Sequence, residues 1–277
     1  MKKLGMMIAV LAVVALATPV YSFRVTNVTN DEVVFDCSWE QGTAGENIQT
    51  DTPEIGTFRF DNDWQSPPVL GDTQADCWVE DETTTGVAAY QGNNYAHLVV
   101  GAPRPHATSE FVGTPGIAGD LMRIEFAAMS IIEWPAVKLR ETPPDVVYTS
   151  PEYHTIADIY FTGDPPYHFT DPGWTDPGGI ISIGESGGAW ADEYILDAHT
   201  VGEWNEVVME YVNGSTELDM TVNGVPHTLT NMKAGILNYV RLGNVANNTV
   251  GYFDIPEPVT LSLLAVGSLA LIRRRRR

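Results

Sequence analysis

The sequence predicts an all-β fold, an antiparallel β-sandwich formed by one domain, and three observations predict it. Apolar residues almost nowhere recur with a helical period. Short β-branched and aromatic runs recur instead, divided at close intervals by Gly, Pro, Asn and Asp. Two turn signals, Asn213-Gly214-Ser215 and Asn223-Gly224, separate runs that alternate polar and apolar residues, as strands with one buried face do.

The chain opens with Met1-Lys2-Lys3, a positive start, followed by the apolar and small residues Leu4 to Ala17. That is the layout of a secretory signal peptide, and the run is shorter than the roughly 20 residues a membrane-spanning helix needs. Cleavage after Ser22 is favoured, with Val20 and Ser22 as the small residues; Ala17 is the other candidate. Residues 1–22 are therefore read as a signal peptide.

Strands are expected at Glu32 to Phe35, Thr57 to Phe60, Gly86 to Tyr90, Ala96 to Val100, Leu121 to Met129, Ile156 to Phe161 and Ile180 to Ile183. The stretch Trp204 to Leu229 is the most informative. Asn205 to Val212 alternates loosely, and Glu217 to Val222 alternates again with Leu218, Met220 and Val222 on one face. Asn223-Gly224 is a strong two-residue hairpin turn, so three antiparallel strands form a meander. Tyr239 to Leu242 and Val250 to Phe253 supply two more.

Val259 to Ile272 is apolar and uncharged and stops at Arg273, Arg274, Arg275, Arg276 and Arg277. As a helix it would cover about 21 Å, thin for a bilayer unless the arginine stems snorkel. Five arginines hold that end in the cytoplasm by the positive-inside rule, so an exported chain would stall there with its body outside.

Without the two ends, the body Phe23 to Ile255 keeps 8 of the 15 basic residues and 35 of the 36 acidic ones, a net charge near −27. Such a surface repels nucleic acid and anionic membrane, and it suits a saline medium or divalent cations. The body holds the only two cysteines, Cys37 and Cys77. An even count in an oxidising compartment reads as one disulfide, worth roughly 3 to 4 kcal/mol on the chain-entropy model; two buried thiols are the alternative.

Two resemblances sharpen this reading. Pro256-Glu257-Pro258, the hydrophobic stretch and the arginine cluster together resemble a PEP-CTERM sorting signal, confined to residues 256–277. That resemblance implies a Gram-negative bacterium, an exosortase-type transpeptidase as partner, an inner-membrane intermediate held by the C-terminal helix, and delivery to the cell surface or extracellular matrix. Trp204, the hairpin at Asn223 and Gly224, and the closing Phe253-Asp254 resemble the laminin-G-like or concanavalin-A-like jelly-roll family over roughly Gly178 to Asp254.

Candidate chemistry is sparse. Glucanases on this jelly roll set carboxylates at alternating positions of one strand, about 5 Å apart. Glu217-Leu218-Asp219 begins that way, but Met220-Thr221-Val222 lacks the next acid. Glu80-Asp81-Glu82 and Asp192-Glu193 read as solvated charge. Gly184-Glu185-Ser186-Gly187-Gly188 matches Gly-x-Ser-x-Gly formally but lacks the strand-to-helix context of a nucleophile elbow. The histidines His97, His106, His154, His168, His199 and His227 are scattered without metal-ligand spacing, and read mostly as surface or loop residues.

One loop holds two Asp-Pro-Gly turns around a tryptophan. Asp164, Asp171 and Asp176 are candidate calcium ligands there, and Trp174 and Tyr167, with Trp190 and more weakly Trp64, are candidates to stack on a sugar. The bland reading is good turn chemistry with a core-capping tryptophan. The function favoured from sequence is a non-catalytic structural or adhesive component of an extracellular polymer layer; the alternative is a carbohydrate-binding, lectin-like module with or without calcium, and a polysaccharide-degrading enzyme comes third. Aromatic side chains displayed on one sheet face would favour binding, and paired carboxylates in a cleft would favour catalysis.

Overall fold

The structure is a computed structural model that describes residues 23–47, 53–62, 69–70, 77–98, 106–112, 116–132, 135–142, 154–162, 180–183, 193–195, 198–230, 232–244 and 250–254. Residues 1–22, read as a signal peptide, residues 256–277 with Pro256, Glu257, Pro258 and Arg273 to Arg277, read as a sorting tail, and the loop with both Asp-Pro-Gly turns lie outside the described residues. Those described all fall in one compact unit, Ser22–Pro256. No helix among them is long and apolar enough to cross a membrane.

The strands in chain order are β1 (Phe23–Asn27), β2 (Glu32–Cys37), β3 (Glu46–Asn47), β4 (Thr57–Asn62), β5 (Val69–Leu70), β6 (Cys77–Asp81), β7 (Asn94–Leu98), β8 (His106–Glu110) and β9 (Leu121–Ile132). They continue with β10 (Pro135–Arg140), β11 (Thr155–Phe161), β12 (Ile180–Ile183), β13 (Glu193–Ile195), β14 (Asn205–Val212), β15 (Leu218–Val222), β16 (Val225–Leu229), β17 (Tyr239–Asn244) and β18 (Val250–Asp254). One helical turn, α1 (Glu82–Thr85), follows β6.

These strands form two antiparallel sheets. The first runs β16-β15-β14-β9-β18-β7-β6-β3, and the second runs β13-β12-β11-β10-β17-β8-β4-β5. The twelve-residue β9 organises the first sheet. Its N-terminal half pairs with β1 and its C-terminal half with β18, while β14 pairs along its other edge. β2 extends the sheet beyond β1.

A single core lies between the sheets, because alternation places one face of each strand inward. β14 shows it most plainly: Val207, Met209 and Tyr211 are buried while Glu206, Val208 and Glu210 are half-buried. Leu218, Met220 and Val222 follow suit on β15, as the sequence predicts. Phe23, Phe35 and Phe126 form its aromatic centre, with ring centroids 6.0 Å apart for Phe23 and Phe35 and 5.6 Å for Phe23 and Phe126. Trp39, fully buried with a positive φ of 63°, stacks on Phe58 at 5.2 Å.

The meander is present as read. Asn223 and Gly224 have φ of 50° and 77°, the two positive values of a type I′ turn, and Val222 pairs with Val225 across it. Most other expected strands lengthen by one to three residues. Gly86 to Tyr90 is the exception and is corrected: it is not a strand. Asp81 caps α1, with its side chain accepting from Thr84 N and Thr84 returning the bond to the Asp81 backbone, and Gly86 ends the turn at φ 76°. The apolar residues after Gly86 instead pack on the outside of the first sheet.

Strands β1, β3, β5, β6, β8, β10 and β13 were not expected from sequence. β10 shows why: all six residues are buried although Lys138 and Arg140 alternate with apolar ones. A polar-apolar pattern reads as half solvated, yet the outer face of the second sheet is closed here and its charges meet partners. Arg140 Nη1 is ion-paired with Asp158 on β11.

Candidate functional site

Tyr167, Trp174, Trp190, Trp64, Asp164, Asp171, Asp176, His168 and the Gly184 to Gly188 segment lie outside the described residues. Cys37 is buried in β2; Cys77 opens β6 with its side chain outside that set. Among the described residues no group of three or more His, Cys, Asp or Glu could hold a metal ion.

The sheet face that displays aromatic side chains is the outer face of the first sheet, over β6, β7, β18 and the end of β9. Val79, Ala96 and Phe253 point into the core, so their neighbours point out. Trp78 pairs with His97, His97 with Tyr252, and Tyr252 with Met129, which lays the four side chains in one row across four strands. In the next row Glu80 pairs with Tyr95. Trp204, immediately before β14, closes over them.

The rings pack as a cluster. Tyr95 and Tyr252 meet edge to face at 5.3 Å, and His97 stacks on Tyr252 at 4.5 Å. Trp204 lies 5.8 Å from Tyr95, 6.2 Å from Tyr252 and 6.0 Å from Tyr90. Tyr95 and Tyr252 form the buried floor, whereas Trp78, Tyr90, His97 and Trp204 keep part of their surface open.

Hydrogen bonds fix the two rim rings. Trp204 Nε1 donates to the Ala88 carbonyl at 2.9 Å, and the Tyr90 hydroxyl donates to Glu206 Oε1 at 3.0 Å. The α1 turn delivers that rim, since the Tyr95 hydroxyl lies 3.1 Å from Asp81 O and 3.0 Å from Val87 O and also bonds the Thr85 hydroxyl. Burial, with the charges of Glu80 and Asp81 and the nearby Tyr252 behind it, pushes the Tyr95 phenol up to about 12 against the Thr85 bond, so it remains a donor.

Polar atoms inside this patch lack protein partners. Both ring nitrogens of His97 and Oε2 of Glu80 are buried without a hydrogen bond. Burial lowers His97 to about 4, so its imidazole is neutral near pH 7. A neutral imidazole offers one donor and one acceptor, and a carboxylate oxygen adds an acceptor. Of Glu80-Asp81-Glu82, Glu82 is exposed as read and Asp81 caps α1 through an exposed hydrogen bond, whereas Glu80 departs from the solvated reading by burying one oxygen in the patch. His97 is a half-buried strand residue and His199 a buried loop residue.

Two other polar groupings lie among the described residues. His199 Nε2 lies 2.9 Å from both Ser130 Oγ and the Thr162 carbonyl, while Ser130 Oγ donates to that carbonyl at 2.9 Å. A nitrogen facing a carbonyl must carry the proton, so His199 is a donor there and not the base a nucleophilic serine needs. Asp36 and Glu125 flank Arg24, which pairs with both across β2, β1 and β9. Burial raises both carboxyls above the usual range against the pull of Arg24 on each and of Arg123 on Glu125. They stand two strand spacings apart, roughly 9 to 10 Å, with the arginine between them where a sugar would lie.

No protein-family model matches the chain, and no curated protein matches it. Solved structures similar to it include a carbohydrate esterase from Shiga toxin-encoding bacteriophage phi24B (12% identity, TM-score 0.40, 64% of this chain and 84% of that one). Peanut lectin is similar at 10% identity and TM-score 0.40 over 72% of this chain and 94% of its own. A Caenorhabditis elegans galectin is similar at 9% identity and TM-score 0.33 over 58% and 96%. None reaches a TM-score of 0.5, and the functional reading rests on this chain's own side chains.

Sequence reasoning passed over Trp78, Tyr95, His97 and Tyr252. Their signal is alternation: Trp78 and Glu80 bracket Val79, Tyr95 and His97 bracket Ala96, and Tyr252 precedes Phe253. Each pair marks an outward face, but only strand pairing brings the faces together.

Proposed function

We propose that this chain is a non-catalytic carbohydrate-binding protein that works outside the cell, in an extracellular polymer layer. The observation that carries the reading is the outer-face patch, where Trp204 and Tyr90 form a half-open aromatic rim held by hydrogen bonds above unmatched polar atoms of His97 and Glu80. Stacking on fixed rings uses the apolar face of a sugar, and rings already held in place lose little entropy on binding.

Export by the PEP-CTERM route is the companion proposal, supported by the signal peptide and by the tail with Pro256, Glu257, Pro258 and its five arginines. Exosortase processing in the inner membrane would then release the body to the surface.

The test is retention of the purified full chain on insoluble polysaccharides, with calcium and with chelator, beside a Trp204→Ala variant. Retention lost in the variant and indifferent to chelator supports this site. Full retention in the variant overturns it. Loss on chelation alone would transfer the site to the loop of Asp164, Asp171, Asp176 and Trp174.

A further inference from the structure

Building on that reading, we infer that the patch selects a glycan bearing protonated amino groups over neutral glycans and excludes uronate-rich polymers, with Glu80 as the residue that determines the preference.

Among the described residues, the charges around the patch are of one sign. Glu80 faces it from β6 and Glu206 from β14, with Asp81, Glu82 and Glu203 on the segments at its margin. Among the described residues His97 is the one titratable nitrogen on this part of the face, and burial leaves it neutral near pH 7. The described basic residues are placed elsewhere. Arg24 and Arg123 stand on the other half of the first sheet, paired with Asp36 at 2.6 Å and Glu210 at 2.5 Å. Arg123 is four positions from Ala127 along β9, roughly 13 Å from the row that holds Glu206. Arg59, Lys138, Arg140 and Arg241 belong to the second sheet, and Lys233 follows β16.

Glu80 has one oxygen buried without a hydrogen bond. Glu80 pairs across the strands with Tyr95, whose ring meets Tyr252 edge to face at 5.3 Å. An ammonium group at the rim would meet the Glu80 carboxylate beside the aromatic cluster, and that attraction grows as water is excluded. A hydroxyl gains only an ordinary hydrogen bond. A uronate carboxylate would approach Glu80 and Glu206 with no cation among the described residues to receive it, against a body whose net charge is near −27 from 8 basic and 35 acidic residues.

The experiment measures retention of the full chain on partially deacetylated chitin, a neutral β-glucan and an insoluble uronate polymer at about 0.15 M salt. Four proteins are compared: wild type, Glu80→Gln, Asp219→Asn and Trp204→Ala, each confirmed folded by its melting transition. Asp219 is exposed on β15, so its variant loses the same unit of charge away from the patch. Wild type is expected to hold the amino-glycan best and the uronate polymer not at all. Glu80→Gln should weaken amino-glycan retention about tenfold and neutral-glucan retention less than about twofold, while Asp219→Asn changes neither.

Equal losses in Glu80→Gln and Asp219→Asn would show bulk charge at work and overturn the inference. Retention of the uronate polymer comparable with the amino-glycan would overturn it too. If Trp204→Ala abolishes retention in either case, the site reading survives and only the charge preference falls. If Trp204→Ala binds like wild type, both fall.

Discussion

Asn223, in the turn between β15 and β16, donates from Nδ2 to Asn205 Oδ1 at 2.9 Å and so ties that turn to the residue next to Trp204. Asn205 donates in turn to the carbonyls of Thr200 at 2.9 Å and Glu203 at 2.7 Å, while Asn223 Oδ1 accepts from Glu206 N at 3.0 Å. The hairpin turn therefore also positions the approach to the aromatic rim. Asn223→Gly keeps the positive φ of 50° easily but removes both side-chain bonds. It should lower stability by about 1 to 2 kcal/mol in urea denaturation and weaken glycan retention. Unchanged retention would detach the turn from the site.

Gly56 lies at φ 92°, where a Cβ would come within 2.6 Å of Phe35 Cδ2 and 2.7 Å of the Glu110 carbonyl oxygen. The carbonyl belongs to the β8 backbone, so it cannot swing aside as a flexible side chain would. Gly56→Ala should cost about 3 kcal/mol, from the unfavourable φ together with overpacking beside the core. A melting temperature within a degree or so of wild type would refute this, given a slope of roughly 2 to 4 °C per kcal/mol for a domain of this size.

Asp158 on β11 faces Arg140 and Lys138 on the second sheet. Burial disfavours its charge most, yet Arg140, Lys138 and Tyr160 together hold its carboxyl below the usual range. Asp158→Asn keeps the shape and removes the charge that offsets those buried cations. A loss of about 3 kcal/mol or more is expected in urea denaturation, because an ion pair broken on one side leaves its desolvation uncompensated. A loss under about 1 kcal/mol would mean that the pair is replaceable.

His199 is 7% exposed, and burial lowers it to about 4 although its bond to the Thr162 carbonyl works the other way. In the unfolded chain it titrates near 6.5, so between 6.5 and 4 the unfolded state binds the proton and the folded state does not. Stability is complete above pH 6.5 and falls as the pH drops towards 4, by up to about 3 kcal/mol for this residue. His97 adds in the same direction, whereas the raised carboxyls of Asp36 and Glu125 act oppositely. Melting temperature should therefore fall less between pH 6.5 and 4 in His199→Gln than in wild type; parallel curves would count against the assignment.

The sequence by itself determined what depends on neighbouring residues. Alternation over Asn205 to Val212 and Leu218 to Val222, the type I′ turn at Asn223-Gly224 and the antiparallel all-β character are local properties, legible from period-two patterning and backbone sterics. β10 was not legible, because its outward Lys138 and Arg140 look solvated until Asp158 is placed opposite. Nor was the site. Trp78 and His97 lie on the consecutive strands β6 and β7 but Tyr252 comes from the last strand, and a slip of one residue in either pairing would send a side chain to the core face instead. Register between distant strands is set by how the whole inner face packs, so the tertiary structure alone decided that these outward side chains form one surface beneath Trp204.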